Sequence, residues 1–296
     1  MLDYTLLETL SAVIRGGSFE AAARALHVSA PAVSQRIRAL EDRMGAALVR
    51  RGPPAEPTEA GRRLVRHAEQ VALLERALDR SLAPVAGEDL AVARLAVNAD
   101  SLATWALPAL AAVPGLLFDV VIDDQDHSAA LLRRGEVQAA VTAQAAPVAG
   151  CDCVALGRLG YVATASPAFA ARWFADGVTA AALAAAPALV FSPRDRLQAD
   201  WARAVTGTRI ALRAHHLASS HGFVAAARLG LGWGMNPRPL VAGALARGAL
   251  VELLPGRGLE TPLYWQVSRI SAAALAPLTR AIRREARARL LPPAAD

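Results

Sequence analysis

The chain has 296 residues, 54% of them hydrophobic, and a formal net charge of +6. That length exceeds one small domain and suits about two with sizeable cores, and no unbroken run of apolar residues reaches the roughly 18 of a membrane span. Asp3 and Glu8 precede any basic stretch, so no secretory leader is expected: the chain reads as cytoplasmic, without a membrane partner, and its positive balance favours a polyanion.

Taken in order, residues 1–15 place Leu6, Leu10, Val13 and Ile14 at helical spacing. A second helix opens at Ser18, a suitable cap, with Phe19, Ala22, Ala23 and Leu26 on one face. His27-Val28 breaks the pattern. Ser29 then caps a third helix, with Pro31 tolerated in its first turn and Val33, Ile37, Leu40 and Met44 facing inward. Pro31, Gln35, Arg38 and Asp42 fall on the opposite side, with Ser34 beside them. A polar, partly basic outer face of this kind suits the recognition helix of a helix-turn-helix; an ordinary helical hairpin with a solvated face fits the same spacing. After Gly45, the pair Arg50-Arg51 and a proline-rich turn suit a small wing. A long helix follows, with Thr58 as cap and Pro84 as stop. Its narrow seam of Leu64, Ala68, Val71, Leu74, Leu78 and Leu82 calls for a partner helix, or for the chain's own second domain.

Order and spacing across the first 61 residues resemble the N-terminal domain of LysR-type transcriptional regulators. The matching residues are Gly17-Ser18-Phe19, Ala22 to Leu26, Ser29 to Pro31, Ala32 to Gln35, Ile37, Leu40-Glu41, Gly45, Leu48, Arg51 and Pro57 to Gly61. His27-Val28, followed by Ser29 and then AVSQRI, is similar to the ArgP/LysG branch, the regulators of arginine and lysine export. The resemblance implies a multidomain fold: an all-α winged helix-turn-helix over 1–57, a dimerisation linker and hinge over 58–87, and an effector domain over 88–296. It implies a homodimer or homotetramer on an inverted-repeat operator in double-stranded DNA, with RNA polymerase as a further partner. Pro31, Ser34, Gln35 and Arg38 are the candidates for the base-reading face, Arg36, Arg50 and Arg51 for phosphate contacts, and Ser29 is a further DNA-binding candidate.

Beyond the hinge at 84–89, apolar strands alternate with helices, which implies a parallel sheet covered on both faces. Strands are expected in 90–100, 116–125, 138–144, 186–193, 209–218 and 233–237. YVATASPAF and LYWQVSRIS read as two crossover strands, and 272–291 as a helix returning to the first unit. This resembles the two-lobed α/β effector domain of LysR-type regulators, of periplasmic-binding-protein type, with lobe I about 88–162 and 267–296 and lobe II about 163–266.

Ligands of open α/β sheets sit at strand carboxyl ends, near helix N-termini. Asn98, Asp100, Ser101 and Thr104 occupy one such end, Thr142 another, and Asp123 and Asp124 a third, where an ammonium or guanidinium can be received. From the second lobe, Ser220 and His221 precede a helix, and Trp233 to Asn236, with Met235, form a strand end that can face a cleft. The serines serve equally as helix caps and the aspartates as solvated turn residues. No cofactor or metal is expected. The effector implied by the resemblance is lysine or arginine, and the controlled gene a basic amino-acid exporter.

The scattered residues His27, His67, His127, His215, His216 and His221 form no metal or nucleophile motif, and no phosphate-binding loop occurs, so an enzyme is not expected. Cys151 and Cys153 read as small residues at a strand edge rather than as a metal or redox pair. An effector-blind architectural DNA-binding protein, or a LysR-type regulator with another small-molecule effector, are the alternatives.

Overall fold

The structure, a computed structural model, describes residues 2–82, 91–122 and 128–293, with the side chains of 76–82 excepted. It divides into two compact units, Met1–Ala93 with Gly115–Leu117, and Arg94–Pro114 with Phe118–Asp296.

In the first unit, helix α1 (Tyr4–Gly16) starts where the Asp3 carboxylate accepts from the Thr5 amide at 2.9 Å. Helix α2 (Phe19–Ala25) is capped by Ser18, whose Oγ accepts from Ala21 N at 3.0 Å. Helix α3 (Ala30–Met44) is capped in the same way by Ser29, from Ala32 N at 3.3 Å. Between α2 and α3, His27 holds a φ of 52°, a left-handed turn that side chains rarely adopt. Leu10, Val13, Ala22, Val33 and Leu40 are fully enclosed. The inward stripe of α3 ends there: Met44, expected inside, is 41% exposed, because it is the helix's last residue before the Gly45 cap. On α1, Leu7 takes a buried place, while Leu6 and Ile14 sit at the rim of the core.

Strands β1 (Val49–Arg50) and β2 (Glu56–Pro57) pair antiparallel as the wing. The Glu41 carboxylate fixes the wing's entry by accepting from Leu48 N at 2.8 Å and Val49 N at 3.3 Å. Helix α4 (Glu59–Leu82) follows, with the Thr58 hydroxyl accepting from Gly61 N at 3.1 Å. Its 24 residues make it about 36 Å long at 1.5 Å per residue. Gly61 is required by close approach: a Cβ there would stand 2.0 Å from the Leu48 carbonyl oxygen. Further along α4, Leu73 is enclosed, whereas Leu74 of the expected seam is 36% exposed in the single chain. Pro84 and the expected hinge lie outside the described residues, as do the side chains of Leu78 and Leu82.

Strand β3 (Ala91–Val97) runs across the boundary into the second unit and is followed by α5 (Ala99–Ser101), a π-helical turn (Leu102–Ala106) and α6 (Leu107–Ala111). Then come β4 (Leu116–Ile122), α7 (Ser128–Arg133), β5 (Ala139–Thr142) and the 15-residue β6 (Cys151–Ala165). Next are α8 (Pro167–Trp173), α9 (Ala180–Ala185), β7 (Ala188–Val190), α10 (Leu197–Thr206) and β8 (Ala214–His216). The chain closes with α11 (Ser220–Arg228), β9 (Gly234–Pro237), α12 (Arg238–Ala246), β10 (Val251–Glu252), β11 (Leu259–Ser268), α13 (Arg269–Ala272) and α14 (Ala276–Arg289).

The expected parallel sheet is in fact mixed. β3 and β5 are parallel, but β6 and β11 run antiparallel to each other, and β11 antiparallel to β5, in the order β10-β6-β11-β5-β3-β4 with β9 also on β6. The long β6 and β11 are the crossover strands. Tyr264 to Val267 pair with β5, while the second half of β6 carries β9 and β10, so the two strands pass from one lobe into the other. Strand β6 stops earlier than expected, at Ala165, because Ser166 caps Phe169 N at 3.3 Å and Pro167 starts a helix. The expected strand over 209–218 contracts to three residues. Helix α14 returns onto α6 and the π turn, within the first lobe.

Candidate functional site

In the first unit, Pro31, Gln35 and Arg38 are exposed on one side of α3, opposite Val33, Ile37 and Leu40, with Ser34 half-buried beside them. Ser29 is also exposed, with its hydroxyl engaged as the cap. Arg50 and Arg51 are exposed at the wing; Arg50 lies 3.9 Å from Glu56, and the Arg51 guanidinium sits 5.2 Å over the Phe19 ring. Arg36 departs from the expected pattern. It is half-buried and donates to Thr9 Oγ1 at 3.5 Å on α1, whereas the wing arginines are exposed.

In the second unit, the strand ends converge on a cleft of about 690 Å³. Asn98, Asp100, Ser220 and Met235 line it, as the strand-end argument expected, and α10 and β11 add Gln198 and Thr261. Its chemical centre is Asp100. One carboxylate oxygen accepts from Ser220 Oγ at 2.6 Å and the other from the Tyr161 hydroxyl at 2.9 Å. Burial pushes the Asp100 carboxyl above its ordinary value, against the two hydroxyl bonds, and the neighbouring Asp195 charge pushes the same way. Two side-chain oxygens of the wall, Gln198 Oε1 and Asn236 Oδ1, are buried and have no donor among the described residues. Asn236 is oriented by its own amide, which donates to Thr164 Oγ1 at 2.9 Å. At the mouth, Arg194 and Arg196 are exposed on the loop that Asp195 ties together through Phe191 N and Leu197 N. The wall is thus rich in acceptors and the mouth carries cations.

Five expected residues stand apart from this cleft. Ser101 is fully buried behind the Asn98 cap. Thr104 bonds back to the Asp100 carbonyl at 2.6 Å and lines a different cavity. Thr142 is enclosed by Gln266 and Gln144. His221 is exposed outside the cleft, and Trp233 lies in the core, 5.2 Å from Trp201. Asp123 and Asp124 lie outside the described residues. Tyr161, Asp195 and Gln198 escaped sequence reasoning, because a tyrosine in a long strand and polar residues opening a helix carry no motif. Burial raises both cysteine thiols, Cys151 and Cys153.

Two family models match: the bacterial regulatory helix-turn-helix protein of the lysR family over residues 4–62, and the LysR substrate binding domain over residues 86–290. The chain belongs to the LysR family of transcriptional regulators. This LysR-type regulator is 47% identical to the transcriptional regulator ArgP of Pseudomonas aeruginosa over 287 residues, 94% of each chain. It is similar to the crystal structure of ArgP from Mycobacterium tuberculosis, with a TM-score of 0.79 and 42% identity over 99% of this chain and 100% of that one. It is also similar to full-length LysG from Corynebacterium glutamicum with bound effector Arg, with a TM-score of 0.65 and 38% identity over 98% of this chain and 100% of that one. As a LysR-type regulator it acts in transcription and is not an enzyme. Among its described residues no helix is long and apolar enough to cross a membrane.

Proposed function

We propose that this LysR-type regulator senses a basic amino acid, arginine or lysine, and controls a basic amino-acid exporter gene. The observation that carries the reading is the acceptor-rich wall around Asp100. A guanidinium or ammonium brings several donors and a positive charge, which the Asp100 carboxylate and the free oxygens of Gln198 and Asn236 match. Arg194 and Arg196 at the mouth suit the amino acid's own carboxylate. The arginine-bound state of the similar LysG protein supports the choice of ligand. Occupation between the lobes biases their relative orientation, and that bias reaches the operator through the linker. In this reading the protein works in the cytoplasm as a dimer or tetramer on an inverted repeat, with RNA polymerase as a further partner. Its exposed α3 face reads bases and its wing arginines hold phosphates.

Calorimetry of the full chain with arginine, lysine, histidine and leucine is the test. Arginine and lysine should bind with leucine silent. Leucine binding as tightly as arginine would remove the basis for the reading.

A further inference from the structure

Helix α14 turns Leu278, Ala281, Ile282 and Ala286 inward and packs on α6 and the π turn. Its other side is arginine. Arg280, Arg283, Arg284 and Arg287 are all exposed, at steps of i, i+3, i+4 and i+7, so they share about 100° of arc at 100° per residue. That spacing is the one by which a helix offers a continuous stripe to a partner, and here cations fill it throughout. With Arg289, five arginines stand on the helix against a single carboxylate, Glu285, and give it +4 of the chain's +6. Glu285 is occupied by Arg284, at 2.9 Å, and by Arg289. Arg280, Arg283 and Arg287 have no carboxylate partner among the described residues.

Such a row destabilises the free helix. Like charges at i, i+4 repel along a helix surface, and Arg280 with Arg284 and Arg283 with Arg287 are two such pairs. A bound polyanion turns that repulsion into attraction. The stripe also narrows the class of polyanion. Its four cations span about 10 Å at 1.5 Å per residue, or roughly one per 3 Å, and duplex DNA carries one charge per about 1.7 Å of axis. Guanidinium groups engage phosphate oxygens two at a time. A protein partner calls for an apolar centre to the contact, and the stripe has none. A membrane surface calls for an apolar face to insert, and the apolar face of α14 is already buried.

We propose that the outer face of α14 is a second DNA-binding surface, which takes the phosphate backbone of a duplex without reading its sequence. It lies in the second unit, and so is additional to the contacts of the helix-turn-helix and its wing. It is also independent of the cleft: failure of either reading leaves the other standing.

The experiment measures binding of the full chain to a random-sequence duplex several helical turns long, by fluorescence anisotropy across salt concentrations and without amino acids. The triple change Arg280→Gln, Arg283→Gln and Arg287→Gln should lower the slope of log affinity against log salt by about 2–3, at about 0.9 per phosphate contact, and weaken binding at low salt about tenfold or more. The variant should melt no lower than the parent, because it loses like-charge pairs and Gln is a good helix former. Lysine at the same three positions should restore most of the slope, since an ammonium still neutralises a phosphate. Arg203→Gln, Arg209→Gln and Arg228→Gln, exposed in the second lobe, remove the same net charge elsewhere and should leave the slope as it was. A slope unchanged in the α14 variant, or lowered as much in the second-lobe variant, would overturn the surface. A larger loss of affinity for polyglutamate or for phosphatidylglycerol vesicles than for the duplex would overturn it too, and would assign the stripe to an acidic protein or to a membrane.

Discussion

In the first unit, Ser18 caps three residues ahead, Ser29 does the same, and Glu41 reaches only seven or eight residues to hold the wing. In the cleft, Asp100 meets Tyr161 across 61 positions and Ser220 across 120. The head is therefore assembled from contacts that a short stretch of chain makes with itself, and the cleft from residues that only the completed sheet brings together. The two should fail differently. Damage to the head should appear as lost stability or lost DNA reading, and damage to the cleft as lost ligand affinity in a protein that still folds.

Asp100→Asn should give the largest effect. Removing the charge should weaken arginine binding by about 2–5 kcal/mol, as expected when one partner of a buried charged pair is removed. The unliganded protein should melt higher, since burial penalises the ionised carboxylate. The sign follows from linkage: the folded value lies above the ordinary 3.8, so the stabilising contribution is complete below 3.8 and is lost as pH rises through the raised value. Conversely, acidification protonates Asp100, and arginine affinity should fall toward that value in the parent and stay flat in the variant. Calorimetry across the acid side of neutrality checks both.

Gly61→Ala comes next. A methyl group 2.0 Å from the Leu48 carbonyl must move the wing or α4, and the first unit should lose up to about 3 kcal/mol in thermal unfolding while arginine affinity holds. The smallest pair concerns DNA. Arg38→Ala should cost about 2 kcal/mol and relax preference at a single base position. Arg51→Ala should cost under about 1 kcal/mol on all sequences alike and flatten the salt dependence. Equal losses from both across random sequences would mean that Arg38 does not read bases.

The same difference of scale explains what was legible in the sequence. Both serine caps, the Thr58 cap and the inward stripe from Val33 to Leu40 are local periodicities, and they are present where expected. Met44 was misplaced because periodicity does not mark where a core stops. In the second unit, strand and helix alternation located most elements, but direction was not legible: nothing in YVATASPAF tells that it runs against its neighbours. Of the strand-end residues, Asn98, Asp100, Ser220 and Met235 line the cleft while Ser101 and Thr142 do not, since the face of a helix turn or strand end depends on what packs behind it. Gln198 and Tyr161 reach the cleft by tertiary placement alone.

The crossover pair has a mechanical consequence. β6 and β11 stay hydrogen-bonded from Leu259 opposite Tyr161 to Ser268 opposite Cys151, and their ladder slips only once, between Leu263 and Tyr264, where pairing with β5 begins. Opposite Leu263 stands Gly157, with φ at 137°. Two lobes joined by a continuous ribbon cannot swing like plates on a pin. That slip is where such a ribbon would yield, as the arms of a leaf spring do, through small angles and with a restoring force. A ligand that drew the lobes together would then do so over a short distance, and the ribbon would return them once the cleft emptied.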